Sequence, residues 1–286
     1  MTAQIINGKE LALQIREGLK QKIEAQHITP TLAVILAGHD GGSEIYVRNK
    51  QKAAAEIGVE TKLFLFEDDV RQEELEDLID NLNQDNSVHG ILLQLPLPKG
   101  LDSAALLKRI DFKKDVDGFH PYNIGLLQNG DSSATIAATP KGVLRLLKET
   151  HIDLDGKEAL VIGRSVIVGK PTSMLLLREN CTVTTAHSHT KNLKELCQRA
   201  DVVVAACGQP RMIKKDWIKK GAVVIDVGTT RVEGKLYGDV DFEEVQEVAS
   251  YITPVPGGVG PMTIAMLLEN TLEAYLKQKK ELDREE

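Results

Sequence analysis

Tyr46 and Lys50 stand four residues apart in SEIYVRNKQKAAAEIG, a spacing that puts a phenol and an amine on one face of a helix. A lysine on a helix is usually one more solvated charge. Here the small residues Ala53 and Ala54 follow it and permit close packing, and a lysine held partly away from water loses its proton more readily than in solution and becomes a usable base. Gly41 and Gly42, with Ser43 as the expected N-cap, set where the helix begins. A second group is GILLQLPLPKG, where a strand ends at Gln94 and prolines at 96 and 98 stop the sheet. An uncharged amide at a strand end either binds a substrate, positions Lys50, or is incidental to a rigid Pro-rich turn. A third is KKDVDGFHP, in which Asp115 and Asp117 flank Val116 ahead of Gly118. Paired carboxylates suggest a metal, yet the other ligands of a calcium loop are missing, so a plain Asp-Gly turn outweighs it. A single carboxylate there suits a guanidine-like edge, such as a 2-aminopyrimidinone, through paired hydrogen bonds.

Chemistry of another kind sits in ALVIGRSVIVGKP, residues 159–171, where an apolar run breaks into a Gly-Arg-Ser turn and a helix is predicted to open at Gly169. A strand end meeting a helix start leaves unpaired backbone N–H groups and the positive end of a dipole, and glycines let a phosphate approach. Ser165 stands where the G-x-G-x-x-G fingerprint has its second glycine, giving Gly163-x-Ser165 and then Gly169, a pattern also found in doubly wound domains that bind no dinucleotide. About twenty residues on, where an unphosphorylated ribose requires Asp or Glu, the chain reads TTAHSHTKN. Ser188, with His187, His189 and Lys191 around it and Arg164 in the first turn, suits a 2′-phosphate and favours NADP over NAD. The two histidines read as solvated imidazoles at a strand end, and no third ligand at suitable spacing supports a metal. Small residues close two further strands, AACGQP at Gly208 and VIDVGTT at Gly228 and Thr229. PVPGGVGPMT crowds Gly257, Gly258 and Gly260 ahead of a helix, more glycine than a turn needs and room for a flat ligand.

Two series of alternating strands and helices position these groups. TLAVILAG, VETKLFLF and VHGILLQ are predicted strands, with a helix over 43–58 and a polar helix between them. After Thr139 come ALVIG, CTVTTAH, DVVVAACG and AVVIDVG, four buried-looking strands separated by helical segments such as TSMLLLREN and NLKELCQRA. The expected fold class is α/β in two domains with a cleft between them. Residues 1–139 form an N-terminal α/β domain with a parallel sheet, residues 140–261 a C-terminal Rossmann-like NADP-binding domain, and the helix over 262–286 packs back on the first. The segment 140–150, with its initial proline, is the connecting helix. A formal charge of −7 disfavours nucleic acid as a partner. No apolar run reaches the ~20 residues of a membrane span, and MTAQIINGKE lacks the apolar stretch of a leader, so a cytoplasmic location is expected. The three cysteines, odd in number and without CxxC spacing, suit a reducing compartment and neither zinc nor a disulfide framework. Only the charged tail KKELDREE reads as disordered.

Together these segments closely resemble the bifunctional methylenetetrahydrofolate dehydrogenase/methenyltetrahydrofolate cyclohydrolase family. The match runs almost end to end, through YVRNKQKAAAEIG, LLQLPLP, KDVDGFHP, GRSVIVGKP, VIDVG, GDVDF and PVPGGVGPMT in the family's order. The resemblance implies that Lys50 is the catalytic lysine, that Tyr46 stacks near the pterin, that Gln94 assists the lysine, and that Asp117 holds the pterin edge. It implies substrate contacts from Leu93 and Leu95 beside Gln94 and from Pro256, Gly257, Gly258, Val259 and Gly260. Gly163, Arg164, Ser165, Ser188 and Thr229 then line the NADP site, tetrahydrofolate derivatives are the substrates, and the protein is a homodimer. Thr229 and Thr230 stand where the family commonly has Ile and Asn, and His189 where some members have lysine, departures that bear on cofactor affinity more than on the chemistry. Two other readings stand beside this one: a single-activity NADP-dependent dehydrogenase of a small amino or hydroxy acid, and a nucleotide sensor without turnover.

Overall fold

The computed structural model describes residues 2–285. In chain order the elements begin with strand β1 (Gln4–Ile5) and helix α1 (Gly8–Gln26), followed by β2 (Thr31–Ala37), α2 (Gly41–Glu56), β3 (Glu60–Phe66), α3 (Gln72–Gln84) and β4 (Gly90–Leu93). The short helices α4 (Ser103–Arg109) and α5 (Pro121–Gln128) lead to α6 (Ala138–Glu149). Then come β5 (Glu158–Ile162), α7 (Gly169–Arg178), β6 (Thr182–Ala186), α8 (Leu193–Arg199), β7 (Val202–Ala205) and β8 (Val223–Asp226). A hairpin of β9 (Thr230–Val232) and β10 (Lys235–Tyr237) precedes α9 (Phe242–Val245), β11 (Tyr251–Ile252) and α10 (Val259–Glu285).

These elements fall into two compact units. The first comprises Gln14–Ile136 and the stretch from Ile264 onward; the second comprises the stretch up to Leu13 and Ala137–Thr263. In the first unit a three-stranded parallel sheet runs in the order β3, β2, β4. Every residue of the central strand β2 is buried, as the unbroken apolar run TLAVILA requires of a strand covered on both faces. Leu75, Ile79 and Leu82 form one face of α3 and join Ala33, Ile35, Ile91 and Leu93 in the core. The carboxyl ends of β2 and β4 lie side by side in register, Ile35 opposite Leu93, so the residues that follow each strand emerge at one edge.

The second unit is a six-stranded parallel sheet in the order β1, β11, β8, β7, β5, β6. From β5 the chain moves to β6 on one side and then to β7 on the other, so the order reverses between β5 and β7. Ligands of open α/β sheets bind beyond the carboxyl ends of the strands at such a point. Residues up to Leu13 belong with this unit, whereas the sequence pattern assigns them to the first domain; the reason is that Gln4 and Ile5 pair in parallel with Tyr251 and Ile252. CTVTTAH, expected as a buried strand, supplies the edge strand β6, whose residues are mostly exposed because no further strand covers its threonines. The tail expected to be disordered continues as α10 to Glu285; Met1 and Glu286 lie outside the described residues. The hairpin turn at Glu233 and Gly234, both with positive φ, was not anticipated from the sequence. Among the described residues no helix is long and apolar enough to cross a membrane.

Candidate active site

The first unit assembles the lysine group. Asp40, not Ser43, caps α2: its Oδ2 accepts both the backbone N–H and the hydroxyl of Ser43, each at 2.8 Å. From this start Ser43, Val47, Lys50, Ala53 and Ala54 fall on the buried face, and Lys50 is only 7% exposed. Its Nζ donates to Gln94 Oε1 at 2.9 Å. Gln94 follows β4, where its backbone N–H donates to Ile35 O, and its Nε2 donates to Leu95 O at 2.7 Å. With the amide nitrogen committed, only the oxygen faces Lys50. An oxygen accepts equally from an ammonium and from a neutral amine, so Gln94 can hold the lysine through a complete proton cycle.

Burial lowers the Lys50 pKa, and the charge of Asp117 opposes that shift. Burial pushes Asp117 up to about 6, against the pull of the Lys50 ammonium. The two carboxylates of KDVDG have separate tasks. Asp115 is buried and accepts the N–H groups of Phe119 at 3.1 Å and His120 at 2.8 Å and the Asn123 amide at 2.9 Å. Val116, fully buried, packs against Gly90 and has its carbonyl held by Asn270 at 2.8 Å. The loop is therefore pinned on both sides of Val116, leaving Asp117 as the carboxylate that senses Lys50. Among the described residues no three His, Cys, Asp or Glu side chains gather to hold a metal. The Tyr46 ring lies 6.0 Å from Lys50 Nζ and is 37% exposed, and burial raises its phenol pKa. Leu93 is 1% exposed and belongs to the core, so its side chain offers no surface to a ligand; Leu95 is half-buried, and its carbonyl serves Gln94 and Ser43. Asp40 and Asp115 were missed as supports of the site. The signal was present as a capping acid three residues before Ser43 and as the first acid of the DVD run.

In the second unit the turn after β5 is built as a cradle. Gly163 has φ of +135°, and a Cβ there would strike Ala206 O. A Cβ on Gly169 would strike Gly163 O and come within 2.8 Å of Arg164 N. Only glycines allow this strand end and helix start to close on each other. Ser165 Oγ accepts from Val168 N at 3.1 Å and Gly169 N at 3.3 Å, so two N–H groups expected to face a phosphate are already satisfied. The hydroxyl proton of Ser165 is left to donate outward. Arg164 and Ser165 are exposed beyond β5, Ser188 beyond β6, and Thr229 beyond β8, all at the carboxyl edge of one sheet. His189 N–H donates to His187 Nδ1 at 3.2 Å, which commits that lone pair within the loop. The residues present fit a dinucleotide with a 2′-phosphate: a glycine cradle at the switch point, with a guanidinium and hydroxyls exposed at its rim.

The glycine cluster before α10 answers largely to the chain itself. Gly258 is buried, with Pro254 O within 2.7 Å of where its Cβ would lie, and a Cβ on Gly8 would strike Gly258 O. Val259 is also buried, Gly257 carries φ of +108°, and Pro256 is exposed. Close approach of α1 thus explains part of the glycine excess that the sequence attributes to a flat ligand.

Two family signatures cover most of the chain: "Tetrahydrofolate dehydrogenase/cyclohydrolase, catalytic domain" matches residues 6–117 and "Tetrahydrofolate dehydrogenase/cyclohydrolase, NAD(P)-binding domain" matches residues 137–279. The bifunctional protein FolD of Acetivibrio thermocellus is 53% identical over 98% of this chain and 99% of its own length. The crystal structure of the bifunctional enzyme FolD from Campylobacter jejuni superposes with a TM-score of 0.94 at 46% identity, covering 96% of this chain and 99% of that one. The Trypanosoma brucei methylenetetrahydrofolate dehydrogenase-cyclohydrolase, complexed with NADP cofactor and an inhibitor, has a TM-score of 0.93 at 38% identity, covering 97% of this chain and 98% of that one.

Proposed function

The chain belongs to the tetrahydrofolate dehydrogenase/cyclohydrolase family, and we propose that its buried lysine is the acid–base centre of a bifunctional enzyme. The enzyme oxidises 5,10-methylenetetrahydrofolate to 5,10-methenyltetrahydrofolate with NADP and hydrolyses the product to 10-formyltetrahydrofolate, two steps of one-carbon metabolism. The observation that carries the assignment of roles is an amine 7% exposed, tied to Gln94 and coupled in charge to Asp117.

In the hydrolytic step water adds to the methenyl carbon while neutral Lys50 takes its proton. The resulting ammonium returns a proton to N5 as the C–N5 bond breaks; the hydroxyl proton leaves as the carbonyl forms on N10, so one proton is released per turnover. Gln94 keeps the amine in place in both protonation states. Asp117 accepts paired N–H groups from the pterin edge, and Tyr46 packs against the ring. Gly163, Arg164, Ser165, Ser188 and Thr229 hold the nucleotide, with Arg164 and Ser188 taking the 2′-phosphate. NADP bound there supplies the hydride acceptor. For that step the chain contributes alignment rather than a strong base. Pro256 to Gly260 borders the substrate chiefly through Pro256 and Gly257. The unit with Lys50 is read as the substrate domain and the unit with Gly163 as the nucleotide domain. A homodimer in the cytoplasm completes the reading; family resemblance supports the first, and the three unpaired cysteines support a reducing compartment.

Lys50→Met tests the proposal through the absorbance of methenyltetrahydrofolate. Hydrolysis is expected to fall by about 10²-fold or more while NADPH binding persists. Undiminished hydrolysis removes Lys50 from the mechanism.

A further inference from the structure

Two motifs have no role in the reading above, VIDVG at the end of β8 and GDVDF after β10. They are clamped to each other. Asp226 accepts the backbone N–H groups of Gly228 and Asp239 on Oδ1 and of Val240 on Oδ2, all at 2.9 Å. It fits because residue 238 is glycine: a Cβ there would run into the Asp226 carboxylate. In return the Asp239 carboxylate lies against Gly228, where a Cβ would come within 2.5 Å of both Cγ and Oδ1. Asp239 Oδ2 accepts the N–H groups of Cys207 at 2.7 Å and Gly208 at 3.0 Å, just beyond β7. Asp241, the second acid of GDVDF, holds Arg211 at 2.9 Å and Lys214 at 2.6 Å in the same following segment.

Asp239 is fully buried and, among the described residues, its Oδ2 rather than its Oδ1 carries the backbone contacts, with the Cys207 thiol beside the same carboxylate. Burying a carboxylate costs free energy that its two backbone hydrogen bonds help to offset, and its place here has a reason in the chain it holds. The reason lies in what the grip fixes. Cys207 and Gly208 follow β7, and Ala206, next to them, is the residue whose carbonyl leaves no room for a Cβ on Gly163. Thr229 follows Gly228 directly at the end of β8. These are the edges of the switch point where a dinucleotide meets the sheet. We propose that Asp239, braced by Asp226, is a positioning residue for the dinucleotide, setting the chain ends after β7 and β8 against the Gly163 turn. The inference rests on the reading of this unit as the nucleotide domain.

Titration of NADPH fluorescence tests it without turnover. Failure of the unaltered protein to bind NADPH overturns the reading of the unit and the proposal with it. Given binding, Asp239→Ala is expected to weaken NADPH by about tenfold or more, from the loss of two backbone hydrogen bonds. Asp239→Asn keeps one oxygen for both amides and is expected to bind within about threefold of the unaltered protein. Gly228→Ala displaces the same carboxylate and is expected to weaken NADPH comparably, yet to add little in the Asp239→Ala background, because both changes act on one contact. Hydrolysis of methenyltetrahydrofolate, which depends on Lys50 in the other unit, reports whether each variant is folded. A merely structural role would depress hydrolysis and NADPH binding together. Asp239→Ala binding as well as the unaltered protein, Asp239→Asn as weak as Asp239→Ala, or fully additive losses in the double variant would each overturn the proposal.

Discussion

Gln94→Glu places a carboxylate where the amide now stands, 2.9 Å from the Nζ of a lysine that is 7% exposed. At an effective dielectric of ~20 the attraction at this separation is about 6 kcal/mol before desolvation of the new charge is counted. A second loss is specific to this site. The Gln94 amide donates to Leu95 O at 2.7 Å, and in the variant two oxygens face each other there. The net effect belongs near the low end of the range for a carboxylate beside a cation, so the pH at half-maximal hydrolysis should rise by roughly one to two units. At neutral pH that leaves roughly ten- to a hundredfold less neutral amine, and hydrolysis should fall by the same factor. Oxidation of methylenetetrahydrofolate, which needs alignment rather than a base, should fall less. The assay is the decay of methenyltetrahydrofolate absorbance across about pH 6 to 10, with Gln94→Met as the control that removes the acceptor without adding charge. Gln94→Met should be slow with no alkaline shift. A Gln94→Glu profile that coincides with that of the unaltered enzyme refutes the claim that the amide oxygen governs Lys50.

Asp117, raised to about 6 by burial, is expected to give substrate binding a pH dependence. In the proposed role the ionised carboxylate accepts both pterin N–H groups, and lowering the pH protonates it; KM for the folate should therefore rise as pH falls through about 6 and stay level above it. In Asp117→Asn the KM should be raised throughout and lose this dependence, and a pH-independent KM in the unaltered enzyme over that window removes Asp117 from the pterin edge. Gly163→Ala forces φ of +135° on an L side chain and drives a Cβ into Ala206 O. A cost of about 2–4 kcal/mol is expected, read as a lower urea midpoint together with weakened NADPH fluorescence binding; an unchanged midpoint would show that the turn has slack.

The lysine group was legible because its parts are local. The four-residue step from Tyr46 to Lys50 and the small residues after it define one helix face wherever the helix packs. Gln94 was legible as a strand end, since prolines must stop the sheet. The support was only partly so. The cap by Asp40 was local and simply overlooked, since its partner Ser43 is three residues on; that Asp115 turns inward while Asp117 senses Lys50 depends on Asn123 and on Asn270, 154 residues along the chain from the Val116 carbonyl it holds. Ser165 carries a further role that its residue type did not reveal, its hydroxyl accepting the Val168 and Gly169 N–H groups at the helix start.

By itself the sequence determined the α/β class, the sites of the central strands and the helices between them, the glycine turn after β5 and the residue types that can hold a proton or a phosphate, because each follows from periodicity or local backbone freedom. Tertiary structure alone decided which strands lie at edges, that the first strand joins the second unit, and that two aspartate motifs lock into one another. Strand order and buried carboxylate contacts are set by which surfaces must exclude water together, and residues far apart in the chain carry no mark of that until they meet.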